Sequence, residues 1–156
     1  MDLKYEFYIG GKPVYVWNAL VSPTETKKIY YGSEIQSNFE VGSPLKYVEP
    51  GKDGQETIYI HGKVLEFQPN KTFMHTYIIG DSYAVRHSKF KSRISYELEP
   101  FGVCTKLTVT HDQWTKGDPS YENTAKGWRK LLCVLKTLIE TGKPLDLSVH
   151  YYYTSI

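Results

Sequence analysis

The sequence predicts an α+β fold, an antiparallel sheet of about six to seven strands packed against one long C-terminal helix. Three observations carry this. Segments in which apolar and polar residues alternate with period 2 occupy most of the chain up to residue 113. One long stretch near the C-terminus repeats its apolar residues at helical spacing. Strands and helices are also segregated along the chain, which favours an antiparallel sheet over βαβ units.

The elements follow in order. Leu3, Tyr5, Phe7 and Ile9 alternate with Asp2, Lys4 and Glu6, the pattern of a half-buried strand, and Gly10-Gly11 ends it. Pro13 suits the first turn of a helix in which Val14, Trp17, Leu20 and Val21 recur at helical spacing. Ser22-Pro23-Thr24-Glu25 restarts a second short helix, with Ser22 expected as N-cap and Glu25 closing a capping box; it should end near Tyr30-Tyr31-Gly32. From Ser33 to Gln113 a run of strands is punctuated by Gly42-Ser43-Pro44, Pro50-Gly51-Lys52-Asp53-Gly54, Pro69-Asn70 and Pro100-Phe101-Gly102. Within it Ile58, Ile60, Gly62 and Val64 share one face, Phe73, His75 and Tyr77 another, and Thr105, Leu107, Val109 and His111 a third. No pattern places Gly80 to Lys91, and the tail from Val149 to Ile156 is open between a short strand and a loose end. Asp118-Pro119-Ser120 opens the final helix, with Asp118 or Ser120 as cap, and Gly142 followed by Pro144 stops it. Its stripe is Trp128, Leu131, Leu132, Leu135, Leu138 and Ile139; Arg129, Lys130, Lys136, Thr137 and Glu140 take the other face.

Composition narrows the function classes. At 156 residues the chain has the length of one domain with its own core. A formal charge of +2 gives no electrostatic footprint for nucleic acid. No apolar run reaches the roughly 20 residues a membrane helix needs, and Met1-Asp2-Leu3-Lys4 lacks a signal-peptide pattern. Cys104 and Cys133 form neither a zinc pattern nor a disulfide framework, so a cytoplasmic protein without membrane or nucleic-acid partners is expected. The histidines at 61, 75, 87, 111 and 150 show no metal-ligand spacing. No Gly-rich phosphate loop or Gly-x-Ser-x-Gly elbow is present, so neither metal nor cofactor is expected. Fourteen tyrosines, six phenylalanines and three tryptophans are the compositional excess, suited to pocket walls and to ordinary half-buried strands alike.

The residues also resemble a known family. Gly62-Lys63-Val64-Leu65-Glu66-Phe67-Gln68-Pro69 with the aromatic strand through Thr76-Tyr77 carries part of the resemblance. Ser95-Tyr96-Glu97-Leu98-Glu99-Pro100 leading to Thr105 through His111 carries another. Gly127-Trp128, Leu132, Leu135-Lys136 and Glu140-Thr141-Gly142-Lys143-Pro144-Leu145 complete it. Their order and spacing resemble the helix-grip fold of the START-like (SRPBCC) superfamily, in its AHSA-type branch of homologues of the heat-shock-protein ATPase activator. The resemblance implies one such domain over residues 1–156, with a curved sheet wrapped around the C-terminal helix and a largely apolar cavity between them. Members of the superfamily bind lipids, sterols, plant hormones or aromatic polyketides there, and a few catalyse cyclisation or hydration.

In such a fold Phe39, Ile60, Phe73, His75, Tyr77, Tyr96 and Val109 from the strands and Trp128, Leu132 and Leu135 from the helix are the expected cavity lining, with Trp114 near the mouth. Simple core packing is the competing reading for each of them. His75 is either a ligand-orienting or acid/base group, or an imidazole satisfied inside the core or set on the outer sheet face. His111-Asp112 is an acid/base pair only if the strand bulges, because neighbours in a strand point to opposite faces. Lys126, Arg129, Lys130 and Lys136 form a solvated helix face or a surface for an acidic partner. The leading expectation is binding of a small hydrophobic or aromatic molecule. A protein-interaction or chaperone-linked module, with a homodimer or protein partner, is the second reading; a cyclase- or hydratase-type enzyme is the third.

Overall fold

The computed structural model describes residues 1–51, 53–80 and 88–147. Strand β1 (Leu3–Ile9) leads into helices α1 (Pro13–Val21) and α2 (Pro23–Ile29). Six strands follow: β2 (Glu34–Ser37), β3 (Pro44–Pro50), β4 (Glu56–Gln68), β5 (Thr72–Ile79), β6 (Ser92–Phe101) and β7 (Cys104–Asp112). Helix α3 (Tyr121–Thr141) comes last. The strands form one seven-stranded sheet in the order β1-β7-β6-β5-β4-β3-β2, with every neighbouring pair antiparallel. This is the α+β helix-grip architecture, a curved sheet gripping its C-terminal helix.

Alternation sets which face is buried. Tyr5, Phe7 and Ile9 pair with Val109, Leu107 and Thr105 of β7, so the apolar sides of both strands coincide. Two bulges bend the sheet, because an extra residue on one strand increases local twist. In one, Tyr47 pairs Ile60 and Val48 pairs Ile58, leaving Tyr59 over; in the other, Val64 pairs His75 and Glu66 pairs Met74, leaving Leu65 over. Helix α3 turns Trp128, Leu131, Leu132, Val134, Leu135 and Leu138 into the core. Gly142 ends it in the left-handed region at φ 83°, its N–H bonded to the Leu138 carbonyl at 2.9 Å.

Two local expectations are corrected. Ser22 does sit at the N-cap of α2, but no capping box forms: its Oγ faces Thr24 Oγ1 at 3.1 Å, and Glu25 pairs with Lys28 at 3.0 Å. Ser22 is at once the C-cap of α1 and the N-cap of α2, and that tight junction leaves its side chain no path to the α2 amides. Ser120 is the N-cap of α3 without a side-chain cap bond; the Asp118 carboxylate instead accepts from the Ser120 N–H at 2.9 Å. Lys136 lies on an exposed face of α3 as expected, and from there it also donates to the Tyr8 carbonyl at 2.6 Å and ties α3 to β1. Most of the unplaced segment after Gly80, residues 81–87, and the tail from 148 lie outside the described residues.

Candidate functional site

The inner face of the sheet and the buried stripe of α3 bring most of the sequence-predicted residues into one core. Ile60, Phe73, Tyr96, Val109, Trp128, Leu132 and Leu135 belong to a single buried core, with Phe39 and Tyr77 packed against it. Their rings form a chain. Phe39, held at φ 61°, stacks on Phe67 at 4.9 Å and meets Phe73 edge-on at 5.9 Å. Phe73 lies 6.0 Å from Tyr96, and Tyr96 lies 6.0 Å from Trp128. Tyr77 sits edge-on to His111 at 4.8 Å, and half-buried Trp114 stacks on His111 at 4.1 Å. Trp114 donates to the His111 carbonyl at 3.0 Å, which fixes it beside the N-terminal end of α3.

Inside this apolar core lies a knot of polar groups. His75, fully buried, follows from the period-2 placement of Phe73 and Tyr77 on the inner face of β5. Its Nδ1 is 2.7 Å from the Thr76 carbonyl oxygen, so Nδ1 carries the proton. Its Nε2 is then an acceptor, 3.3 Å from the Tyr47 hydroxyl, which donates to it. The Tyr30 and Tyr96 hydroxyls are hydrogen-bonded to each other, and the Tyr30 ring packs on that of Tyr47 at 4.8 Å. Burial, reinforced by the neighbouring phenols, raises all three tyrosines well above their ordinary range. Burial also pushes His75 down to about 4, against a smaller upward pull from the Thr76 carbonyl. All four groups are therefore neutral at neutral pH.

The Thr76 carbonyl is available because the β4–β5 ladder opens there. Lys63 N–H donates to Thr76 Oγ1 at 2.8 Å, and a Cβ on Gly62 would collide with the Thr76 carbonyl oxygen. Only glycine lets β4 run this close to β5.

His111 forms a second, closed arrangement. The Trp128 indole N–H donates to its Nδ1 at 3.0 Å, so Nε2 carries the proton and donates to Ser92 Oγ at 2.6 Å. Burial, with a further contribution from His75, lowers it to about 3, against the opposing pull of Asp112. Asp112 points the other way and takes two bonds from Arg93, at 2.9 and 2.7 Å, which hold its carboxyl below the ordinary range. The two neighbours thus face opposite sides of β7, as strand geometry requires, and do not form an acid/base pair. Both imidazoles already use their acceptor nitrogen, so neither has a lone pair ready to take a substrate proton.

Sequence reasoning missed Tyr30 and Tyr47. The Leu45–Tyr47 alternation between Pro44 and Pro50 was a usable signal for Tyr47; nothing local marks Tyr30, the C-cap of α2. Two depressions lie on the surface, away from the eleven expected residues. One of about 590 Å³ runs between α1, α2 and the end of α3, with Tyr15, Ser22, Lys28 and Ile139 among its walls. The other, about 800 Å³, is bordered by outward residues of β1, β6 and β7, including Lys4, Glu6, Glu97, Glu99 and Lys106. Among the described residues no group of His, Cys, Asp and Glu side chains is placed to hold a metal ion, and no helix is long and apolar enough to cross a membrane.

The sequence model of the family described as Activator of Hsp90 ATPase homolog 1-like protein matches residues 12–140. Among solved structures, a protein of Mesorhizobium loti superposes with a TM-score of 0.70 at 20% identity, over 90% of this chain and 97% of that one. The Aha1 dimer of Colwellia psychrerythraea, a solution structure, gives 0.68 at 23% identity, over 92% and 98%. A protein of Nitrosomonas europaea gives 0.69 at 20%, over 92% and 96%. At these identities the likeness is one of fold. No curated protein matches the sequence.

Proposed function

The chain belongs to the Activator of Hsp90 ATPase homolog 1-like family, and we propose that it binds a small hydrophobic or aromatic molecule between the curved sheet and α3. One observation carries this reading: the hydroxyls of Tyr30, Tyr47 and Tyr96 and the His75 imidazole are buried together in a core otherwise made of apolar and aromatic side chains. A packing core gains little from such a knot, whereas a binding site needs a few convergent polar groups to orient an apolar guest. Apolar burial supplies affinity at about 25 cal/mol per Å² before ordering costs. Phe39, Tyr77, Trp114 and Trp128 are the aromatic walls, and Ile60, Val109, Leu132 and Leu135 the aliphatic ones. With Cys104 and Cys133 both free thiols, the reducing cytoplasm is the compartment this reading assigns.

The test is thermal melting of the full chain against fatty acids, sterols, flavonoid-like aromatics and polyketide mimics. A ligand at 100 times its Kd stabilises the fold by about 2.7 kcal/mol, a shift of about 5 °C. The expected result is that at least one class shifts the melt and that Trp128→Ala or Tyr77→Phe alters the shift. No shift from any class overturns the reading.

A second reading, a protein-interaction module, has its own support. A structural relative is described as a dimer, and the β6–β7 turn exposes Phe101 and Val103 at 61% and 81%, with the Tyr8 ring 4.9 Å from Phe101. Concentration-dependent sedimentation that Phe101→Ser abolishes is what this reading expects.

A further inference from the structure

A buried chain of donors runs from α3 into the sheet, and geometry fixes the direction of each bond. The Trp128 indole nitrogen can only donate, and it lies 3.0 Å from His111 Nδ1. Nδ1 is therefore bare, because a proton there would set two N–H groups against each other. The ring proton sits on Nε2, 2.6 Å from Ser92 Oγ, so Ser92 accepts it. Ser92 keeps one proton of its own to give. Its side chain is buried, only 2% exposed, and among the described residues no acceptor takes that proton. Ser92 opens the inward alternation of β6 that continues through Ile94, Tyr96 and Leu98. Around its partner His111 stand the rings of Tyr77, edge-on at 4.8 Å, Trp114, stacked at 4.1 Å, and Trp128, edge-on at 6.0 Å. The unused proton thus lies beside three of the four aromatic walls proposed for the ligand.

We infer that Ser92 is a ligand-binding residue, its hydroxyl donating to a neutral acceptor on the guest, the carbonyl oxygen of a ketone, aldehyde or ester. The inference rests on the ligand-binding reading above and narrows it to a chemical class. Buried hydroxyls are ordinarily hydrogen-bonded, and one that lacks an acceptor calls for a partner from outside the chain. A carbonyl guest takes the Ser92 proton without breaking any bond of the Trp128–His111–Ser92 chain. Donors linked in this way polarise one another, so the last O–H is a better donor than that of an isolated serine. A carboxylate fits less well. The buried polar side chains among the described residues include no lysine or arginine to balance its charge. Arg93, next along the strand, is held by Asp112, which faces away from His111 across β7. A carbonyl compound should therefore bind at least about tenfold more tightly than the carboxylate of the same skeleton. Removing the Ser92 hydroxyl should weaken it at least about tenfold.

The test has a ligand-free arm and a ligand arm, both on the full chain. Imidazole ¹⁵N spectra at neutral pH should show His111 protonated at Nε2 and bare at Nδ1; the opposite tautomer overturns the inference. In the ligand arm, melting and titration compare ketones with hydrocarbons in which a methylene replaces the carbonyl oxygen. The pairs are 2-acetonaphthone with 2-isopropenylnaphthalene and 2-tridecanone with 2-methyl-1-tridecene, and 2-naphthoate and dodecanoate are the carboxylates. At least one ketone should bind, at least about tenfold more tightly than its carboxylate. Ser92→Ala should weaken that ketone at least about tenfold and leave its hydrocarbon partner within about threefold, a comparison that removes general packing effects. The infrared carbonyl stretch of the bound ketone should lie lower in the wild type than in the variant. Where Ser92→Ala does not fold, Ser92→Cys carries the same expectation, since a thiol still accepts from His111 but donates poorly. If ketone and hydrocarbon lose affinity equally, if the carboxylate binds as tightly as the ketone, or if only non-carbonyl probes bind, the inference fails while the ligand-binding reading survives. If neither these probes nor the broader panel shift the melt, both fail.

Discussion

His75 and His111 are neutral at pH 7 because the fold gives their charged forms nowhere to be solvated, and this makes the protein sensitive to acid. An imidazole ordinarily titrates at 6.5; in the fold the two are held at about 4 and about 3. Below about pH 6.5 the unfolded chain binds protons that the folded protein refuses, so stability is full above that pH and falls as pH drops toward 4. At full uptake each imidazole contributes about 1.4 kcal/mol per pH unit. Urea denaturation at about pH 7, 6 and 5 should show this decline with a slope approaching two protons; a flat profile would show that these imidazoles are not buried and neutral. The hydroxyls give a second expectation. Tyr47→Phe strands the His75 Nε2 lone pair and should cost about 1–3 kcal/mol. A loss near zero would show that the Tyr47 hydroxyl is not the donor to His75 Nε2. At this scale the sequence was half legible. Period-2 alternation turned Phe73, His75 and Tyr77 inward correctly, but the Tyr47–His75 and Tyr30–Tyr96 contacts join residues 28 and 66 positions apart, and no local pattern encodes such convergence.

The sheet has two open edges, and a helix guards each. At β1, Lys136 holds the Tyr8 carbonyl at 2.6 Å and Glu140 accepts from the Gly10 N–H at 2.7 Å, with Lys136 and Glu140 themselves paired at 2.7 Å. At β2, the Ile35 N–H is taken by Thr26 Oγ1 of α2 at 3.0 Å. Unguarded strand edges invite pairing with other chains. The double variant Lys136→Ala/Glu140→Ala should therefore associate with rising concentration while losing little stability, since exposed ion pairs contribute about 1 kcal/mol or less. Light scattering after size exclusion checks this, and a variant that stays monomeric would refute the guarding role. Gly62→Ala tests the other local device: its Cβ must displace the Thr76 carbonyl, so it should both destabilise the fold and remove the His75 preference for a proton on Nδ1, which imidazole ¹⁵N spectra would read. Elements were the most legible scale. Helix α3, its Gly142 stop and the strand β1 were all written in local periodicity and punctuation. The Ser22 capping box failed because one residue had to serve two helix ends, and the Lys136 clamp was hidden because its partner is a backbone carbonyl 128 positions away.

The two halves of the molecule differ in how they are held together, and on the ligand-binding reading proposed above the difference sets which side a guest enters. On the β1–β7–β6 side, α3 is pinned repeatedly: Tyr5 donates to the Ala125 carbonyl at 3.1 Å, Trp128 to His111 at 3.0 Å, and Lys136 and Glu140 clamp the end of β1. On the far side, β2 has four residues, pairs only with β3 within the sheet, and is otherwise secured by α2 through Thr26. Tyr30 and Tyr47, two of the three hydroxyls in the buried cluster, sit on that side, at the end of α2 and on β3. Regions with fewer long-range ties open at lower free energy than the best-packed ladders. The α2–β2–β3 region should thus open as a unit while β6, β7 and α3 stay closed, exposing the cluster without unfolding the protein. Native-state hydrogen exchange in low denaturant reads this directly. Amides of β2 and β3 should exchange through an opening at least about 1.4 kcal/mol, or tenfold, easier than that of β6 and β7. A ligand from the melting panel should slow β2 and β3 selectively, because Tyr30 and Tyr47 lie on the moving side. If β1 and β7 open first, or if a ligand protects every strand equally, the guest does not enter past α2.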